Sequence, residues 1–387
     1  MKNKIGLISL PKYYNYGTQL QLFALQKSIE LFGYECEVIQ YIKDFTLTPL
    51  PRKKRILNVI FTPHRLFIGI LRRIYNKYFH KKRLCGIEYS KEYERKYIKL
   101  GTQVYTCFED FLTRPPEYDA FVVGSDQVWH PIAHLGEDVY FLSFTNYQKK
   151  IAYSPSIGVS EIPPQSIEWL RNGIKGMKFL SVRENTGAKL IKDLTDRDAT
   201  VVVDPTLLLP QEYWIKLKKP ISTPKDYILL YALCGDRYIR NFCKILSKKL
   251  KCLIIVLPKH PRDVLWFSNN VTREFDVGPG EFISLISNAK FVITDSFHGT
   301  IFSLIFKKQF FSFKRYDDPF QSATFSRIDD ILGMIGLQDR IVTIDNWKNK
   351  IAYEQVIDYS EPYKILNTWI KTSKEYLKNA LYEATGS

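Results

Sequence analysis

Apolar residues along the chain fall into short runs that stop at polar turns and alternate with stretches of helical spacing. Lys4 to Leu10 predicts a strand, followed by the polar loop Tyr13-Tyr14-Asn15-Tyr16-Gly17-Thr18. Leu22, Leu25, Ile29 and Phe32 then recur on one helical face until Gly33, and Glu35 to Tyr41 predicts a second strand. After an interruption, the runs Tyr118 to Val123, Lys150 to Tyr153, Lys178 to Val182 and Thr200 to Val203 predict further strands. Three of them end in Gly124-Ser125-Asp126, Arg183-Glu184 and Asp204-Pro205. Lys, Pro, Ser and Thr cluster from Lys216 to Pro224, where a boundary is expected. A second alternation follows: strand Tyr227 to Leu233, helix Arg240 to Leu250, strand Cys252 to Leu257, helix Glu281 to Ile286, strand Phe291 to Thr294, helix Gly299 to Phe306, strand Phe310 to Phe313. Tyr363 to Tyr382 predicts a long amphipathic helix packing back across the domains.

The pattern is α/β: two similar domains with parallel sheets, facing each other across a cleft. The expected division is 1–218, 219–358 and a closing helix, 359–387. Open parallel sheets bind ligands beyond the carboxyl ends of their strands, so Asn15, Asp126, Arg183 and Asp204 are candidates for one rim.

Composition changes this picture in one place. The 387 residues are 45% hydrophobic and 25% charged, which excludes a disordered or collagen-like chain. No apolar stretch reaches the roughly 18 residues of a membrane span, and the N-terminal run is too short for a signal-peptide core. Of the net charge of +16, the segment Pro51 to Lys99 carries 15 Lys or Arg against three acids, a net +12. Basic clusters there (Arg52 to Arg55, Lys81 to Arg83) flank an apolar, aromatic-bearing stretch. That arrangement suits a helix lying on an anionic membrane surface, so a cytoplasmic protein, peripheral on the inner face of the cell membrane, is expected. A solvated basic helical pair is the plainer reading. No nucleic-acid-binding module accompanies the charge, and no nucleic-acid partner is expected. The six cysteines show no C-x-x-C pair, as expected of free thiols, and neither they nor the six histidines show metal-ligand spacing; no metal and no cofactor are expected.

The sharpest local feature is Asp295-Ser296-Phe297-His298-Gly299-Thr300, where an apolar strand runs through a polar turn into a helix. Helix-start amides favour anions, and His298 is placed to touch a phosphate or move a proton. Arg183 suits bidentate binding of carboxylate or phosphate. Asp126 is a candidate base toward a sugar hydroxyl, with Trp129 as a stacking surface. Asn15-Tyr16-Gly17 would let a ligand approach the backbone, and Lys259, in Lys259-His260-Pro261-Arg262, lies in a further candidate anion loop. Each has a structural counterpart: a turn histidine, an Arg–Glu surface pair, an Asx-turn, a core tryptophan.

Seven segments in order resemble the polysaccharide pyruvyl transferase family: Asn15-Tyr16-Gly17, DAFVVGSDQVW (119–129), YFLSF (140–144), IAYSPSIG (151–158), LSVRE (180–184), VDPTLL (203–208) and ISNAKFVITDSFHGTIFS (286–303). The resemblance implies two Rossmann-like domains of the B-type glycosyltransferase kind, the N-terminal one on the acceptor side and the C-terminal one on the donor side. It implies transfer of pyruvate from phosphoenolpyruvate to two hydroxyls of one sugar, a hexose such as galactose giving a 4,6-ketal, in capsule or exopolysaccharide repeat-unit synthesis on a lipid-linked acceptor. Arg183 matches a family arginine that binds the donor. His298 matches the histidine of a D-R-L-H-type motif, which here reads Asp295-Ser296-Phe297-His298, with serine where the family has arginine. Donor contacts are therefore expected from Arg183, Ser296, Phe297, His298, Gly299 and Thr300, with Lys259, Arg315 or Arg327 replacing the absent cation. His298 is the expected acid and Asp126 the base. Two rivals remain: a sugar-nucleotide-dependent glycosyltransferase of the same build, and a non-catalytic glycan-binding protein.

Overall fold

The computed structural model describes residues 2–10, 15–42, 85–264, 266, 268–315, 325–351 and 356–386. Strand β1 (Lys4–Ile8) is buried along its last four residues and pairs in parallel with β2 (Glu35–Tyr41) and β4 (Ala120–Val123). With β3 (Leu100–Tyr105) and β5 (Lys150–Ala152) it forms a sheet in the order β3-β2-β1-β4-β5. Central strands of such a sheet are covered on both faces, so they appear in sequence as unbroken apolar runs. A two-stranded pair, β6 (Ser181–Val182) and β7 (Thr200–Val201), continues beside β5 through the Ile151–Phe179 bridge.

The second sheet has the order β10-β9-β8-β11-β12-β13 and is also parallel. Its strands are β8 (Tyr227–Tyr231), β9 (Leu253–Val256), β10 (Val271–Arg273), β11 (Phe291–Thr294), β12 (Gln309–Phe313) and β13 (Ile341–Val342). In both sheets the order reverses beside the first strand, between β1 and β4 and between β8 and β11. At such switch points successive connections leave on opposite faces and open a crevice at the strand ends.

One apolar core spans the seam between the sheets. Phe23 of the helix Tyr16–Leu31 meets Trp214 edge-on, and Trp214 meets Phe302 of the helix Phe297–Ile305. Such aromatic pairs contribute about 0.5–1.5 kcal/mol each beyond their burial. The helix Ser360–Thr385 starts beside the second half, where the Tyr363 hydroxyl donates to the Leu304 carbonyl. It then runs along the first half. Trp369 Nε1 donates to the Val201 carbonyl at 2.9 Å, and the Tyr376 hydroxyl to the Ala152 carbonyl at 3.0 Å.

Departures from the sequence pattern sit at edges. β3 has only two buried residues, and β10 is three residues long, so neither gives a clear apolar run. The helix Asn185–Thr195 buries only Gly187 and Ile191, too few to show a stripe. The six cysteines are free. Residues 51–84 of the basic segment, and with them most of the expected membrane-facing surface, lie outside the described residues; residues 85–97 are helical. Among the described residues no helix is long and apolar enough to cross a membrane.

Candidate active site

Loops from both switch points converge on the carboxylate of Asp204. Its Oδ1 is held by the amide of Thr206 at 3.0 Å and its hydroxyl at 2.7 Å, a turn that Pro205 starts with a fixed φ. Its Oδ2 accepts from Arg183 Nη1 at 2.8 Å and from the Ser125 hydroxyl at 3.2 Å, and lies 3.6 Å from His298 Nε2. Asp204 thus joins an arginine at the end of β6 to a histidine that follows β11. Burial alone would raise the Asp204 pKa; the proximity and charge of His298, with Arg183 and the Thr206 hydroxyl, instead hold it well below the usual carboxylate range.

Arg183 is almost completely enclosed, its side chain 2% exposed. Its guanidinium carbon sits 4.2 Å from the centroid of the Phe297 ring. Nη2 is 3.9 Å from Asp126 Oδ1 and Nε is 4.0 Å from Glu184 Oε2, too far to bond. Nε, Nη2 and His298 Nε2 are buried and have no hydrogen-bond partner among the described residues. Three buried donor positions without acceptors, two of them on a permanent cation, are what an anion site presents before its ligand binds.

Asp126 lies at the switch point of the first sheet with φ +72, a left-handed conformation that Asp tolerates better than most residues. Its Oδ2 accepts from the Thr18 hydroxyl at 2.8 Å. Burial opposes its ionisation, but His298, Arg183, Arg327 and the Thr18 hydroxyl together lower its pKa, so it is a carboxylate at neutral pH and a weak base. Gly17 closes the group from the other side. A Cβ there would stand 2.2 Å from His298 Nδ1, so only glycine lets the Tyr16–Leu31 helix meet the imidazole.

Asp126, Arg183, Gly17, Phe297 and His298 are therefore brought together, and Arg327 reaches the same ring, its guanidinium carbon 5.5 Å from the Phe297 centroid. The other candidates have structural tasks. Trp129 does not offer a stacking surface: it is fully buried, stacks on Phe141 and donates from Nε1 to the Tyr140 carbonyl at 2.9 Å. Ser296 caps its helix, its hydroxyl accepting from the Gly299 amide at 3.4 Å and its carbonyl from the Thr300 amide at 3.0 Å. The Thr300 hydroxyl is tied to the Ser296 carbonyl and to Ser312. Asn15 caps the Tyr16–Leu31 helix by accepting from the Gly17 amide at 3.0 Å. Tyr16 is buried against Phe282, with Lys259 Nζ 3.9 Å from its ring centroid. Arg315 is bonded to Asp295 through its carboxylate at 3.3 Å and its carbonyl at 3.2 Å.

The sequence marks Asp204 only as a strand-end residue; its role as the junction depends on long-range folding. Thr18 and Asp330, discussed below, carry no sequence signal of function.

Two parallel sheets with a polar cluster where their switch points meet define a two-domain α/β enzyme of the B-type glycosyltransferase architecture. UGT89C1 from Arabidopsis thaliana has this fold over its whole length (TM-score 0.51, 11% identity, 100% of both chains). So does the S. aureus MnaA–UDP structure (TM-score 0.50, 12% identity, 98% of this chain and 97% of that one). At these identities the likeness is one of fold alone. No curated protein matches the chain. The sequence profile of the polysaccharide pyruvyl transferase family matches residues 15–317, and the chain belongs to that family. It is a transferase acting in polysaccharide pyruvylation.

Proposed function

We propose that the chain moves the three-carbon unit of phosphoenolpyruvate onto two hydroxyls of one hexose, the 4- and 6-hydroxyls of galactose being the favoured pair, on a lipid-linked repeat unit. The observation that carries this reading is the buried Arg183, whose Nε and Nη2 lack acceptors beside the equally unpartnered Nε2 of His298. Phosphoenolpyruvate brings a carboxylate and a phosphate, the two groups a guanidinium binds bidentately.

The reaction balances without a cofactor. A proton adds to the methylene carbon, leaving an oxocarbenium-like centre at C2. One sugar hydroxyl attacks C2 and loses its proton; the C2–O bond to phosphate breaks; the second hydroxyl closes the ketal. Of the two hydroxyl protons, one replaces that spent on the methyl group and the other leaves with phosphate. In this reading His298 delivers the proton, with the ionised Asp204 at 3.6 Å as counter-charge to the imidazolium. Arg183 clamps the donor. Asp126 accepts from an acceptor hydroxyl, orienting it, and its lowered pKa makes it a transient proton acceptor only.

Thermal unfolding tests the donor. A ligand at 100 times its Kd stabilises the folded state by about 2.7 kcal/mol. Phosphoenolpyruvate is expected to raise the Tm and nucleotide sugars to leave it unchanged. A shift with nucleotide sugar alone overturns the proposal in favour of a glycosyltransferase.

A further inference from the structure

In the resemblance drawn above, serine at position 296 stands where the family motif has arginine, and Lys259, Arg315 and Arg327 are the cations expected to replace it. Lys259 lies over Tyr16 and Arg315 is bonded twice to Asp295, whose carboxylate also holds the Leu233 and Cys234 amides at 2.7 and 2.9 Å. The third is Arg327, at the start of the helix Ser326–Met334.

Arg327 and Arg183 come from opposite halves of the chain and meet at one aromatic ring. Their guanidinium carbons are 5.5 and 4.2 Å from the Phe297 centroid. Arg183 is buried and Arg327 half-buried, and like charges gathered at one ring repel each other. Burial, followed by Arg183, lowers the pKa of Arg327 to about 10, against the opposing pull of Asp126 and Glu184. An anion bound near the two guanidiniums would relieve that repulsion.

A second contact fixes the geometry. Asp330 follows Arg327 by one helical turn, and its Oδ2 accepts from the Thr186 amide at 3.1 Å and the Thr186 hydroxyl at 3.3 Å. Thr186 lies in the first turn of the helix Asn185–Thr195, which begins two residues after Arg183. The N-cap residue of that helix, Glu184, does not cap it. Its Oε1 instead accepts from the Ser156 hydroxyl and the Ile157 and Gly158 amides at 2.9, 2.9 and 3.2 Å. The orphan amide is satisfied from the other half of the molecule, and a carboxylate at a helix start is favoured electrostatically as well. The helix that carries Arg327 is thereby clasped to the one that follows Arg183.

We propose that Arg327 is the second guanidinium of the donor site, taking over from the motif position held by Ser296, and that Asp330 is a positioning residue which sets its spacing from Arg183. This rests on the reading of the donor as a small dianion with carboxylate and phosphate groups. Phe297 is the ring that both guanidiniums approach.

Tm shifts with phosphoenolpyruvate and, separately, with inorganic phosphate, joined to steady-state phosphate release, test the assignment in wild type, Arg327→Gln, Arg327→Lys and Asp330→Ala. Arg327→Gln is expected to raise KM for phosphoenolpyruvate more than tenfold and to remove most of its Tm shift, with KM for the sugar acceptor unchanged. Arg327→Lys, which keeps the charge without the fork, recovers part of the loss and serves where the glutamine variant folds poorly. Asp330→Ala raises the same KM severalfold with a smaller effect on kcat, a split that mere destabilisation would not produce. Wild-type donor KM and Tm shift in both Arg327 variants would overturn the proposal. A wild type that answers to phosphate but not to phosphoenolpyruvate, with the phosphate response lost in Arg327→Gln, would retain the two-arginine site and overturn the donor. No response to either anion would end both.

Discussion

The two halves of the molecule furnish the site in different ways. The first half contributes hydrogen-bonded groups: Ser125, Arg183 and Thr206 bond around Asp204, and Thr18 bonds Asp126 beside them, so each is fixed by its neighbours. The second half contributes single groups, His298 and Arg327, held by helix starts and by one clasp to the first half. Preorganised polar networks orient a charge at no cost during the reaction, whereas groups on a separate body are free to complete the site when that body closes. In the proposed reaction this difference makes Asp204 the scaffold and His298 the group that moves the proton.

Removing the isolated partner should cost most in rate. His298→Ala is expected to lower phosphate release by about 10²–10⁴-fold, the usual contribution of a general acid, with the donor Tm shift largely kept. Activity within a few-fold of wild type would take His298 out of proton transfer.

Breaking the network should show in stability as well as rate. Arg183→Ala leaves Asp204 buried beside an empty space and is expected to cost about 3–5 kcal/mol in denaturant unfolding, together with donor binding. An exposed, dispensable arginine would cost under about 1 kcal/mol.

Pressing the two halves apart is the next smaller effect. Gly17→Ala puts a methyl group against the His298 ring. Displacing a catalytic group by about 1 Å can lower the rate by about 100-fold, so kcat should fall steeply while far-ultraviolet circular dichroism stays the same. Unchanged kcat would mean that the ring has room to move without consequence.

The carboxylates offer a pH test of the network. Asp204 and Asp126 have lowered pKa values in the folded state, so their contribution to stability is complete above the unfolded value of about 3.9 and is lost as pH falls below it. Asp204→Asn should flatten the acid limb of a Tm-against-pH curve between pH 4 and 2, relative to wild type, because one of the two linked protonations is gone. Parallel curves would contradict the charge assignment.

The smallest effect separates core from site. Trp129→Phe loses one buried hydrogen bond, about 1 kcal/mol of stability, and should keep its acceptor KM. A large rise in that KM would restore the tryptophan to the acceptor site.

The central strands were legible because parallel strands covered on both faces must be apolar throughout, and Arg183, Asp126 and His298 were legible because they end such strands. Edge strands β3 and β10 carried no comparable run. Trp129 was misleading: next to a polar turn it reads as a ligand surface, yet it fills the core under Tyr140 and Phe141. Ser296 and Thr300 stand at a helix start, where capping draws on the same hydroxyls that bind anions. The junction at Asp204 and the clasp at Asp330 could not be placed from spacing, because their contacts join residues 21 and 144 positions apart, Arg183 to Asp204 and Thr186 to Asp330.

Mass spectrometry of a galactose-terminated, lipid-linked oligosaccharide incubated with the protein and phosphoenolpyruvate tests the central claim most directly. The account predicts a product heavier by one pyruvate less one water, formed in step with inorganic phosphate and lost in His298→Ala. An unchanged acceptor with phosphoenolpyruvate, alongside transfer from a nucleotide sugar to the same acceptor, would contradict it.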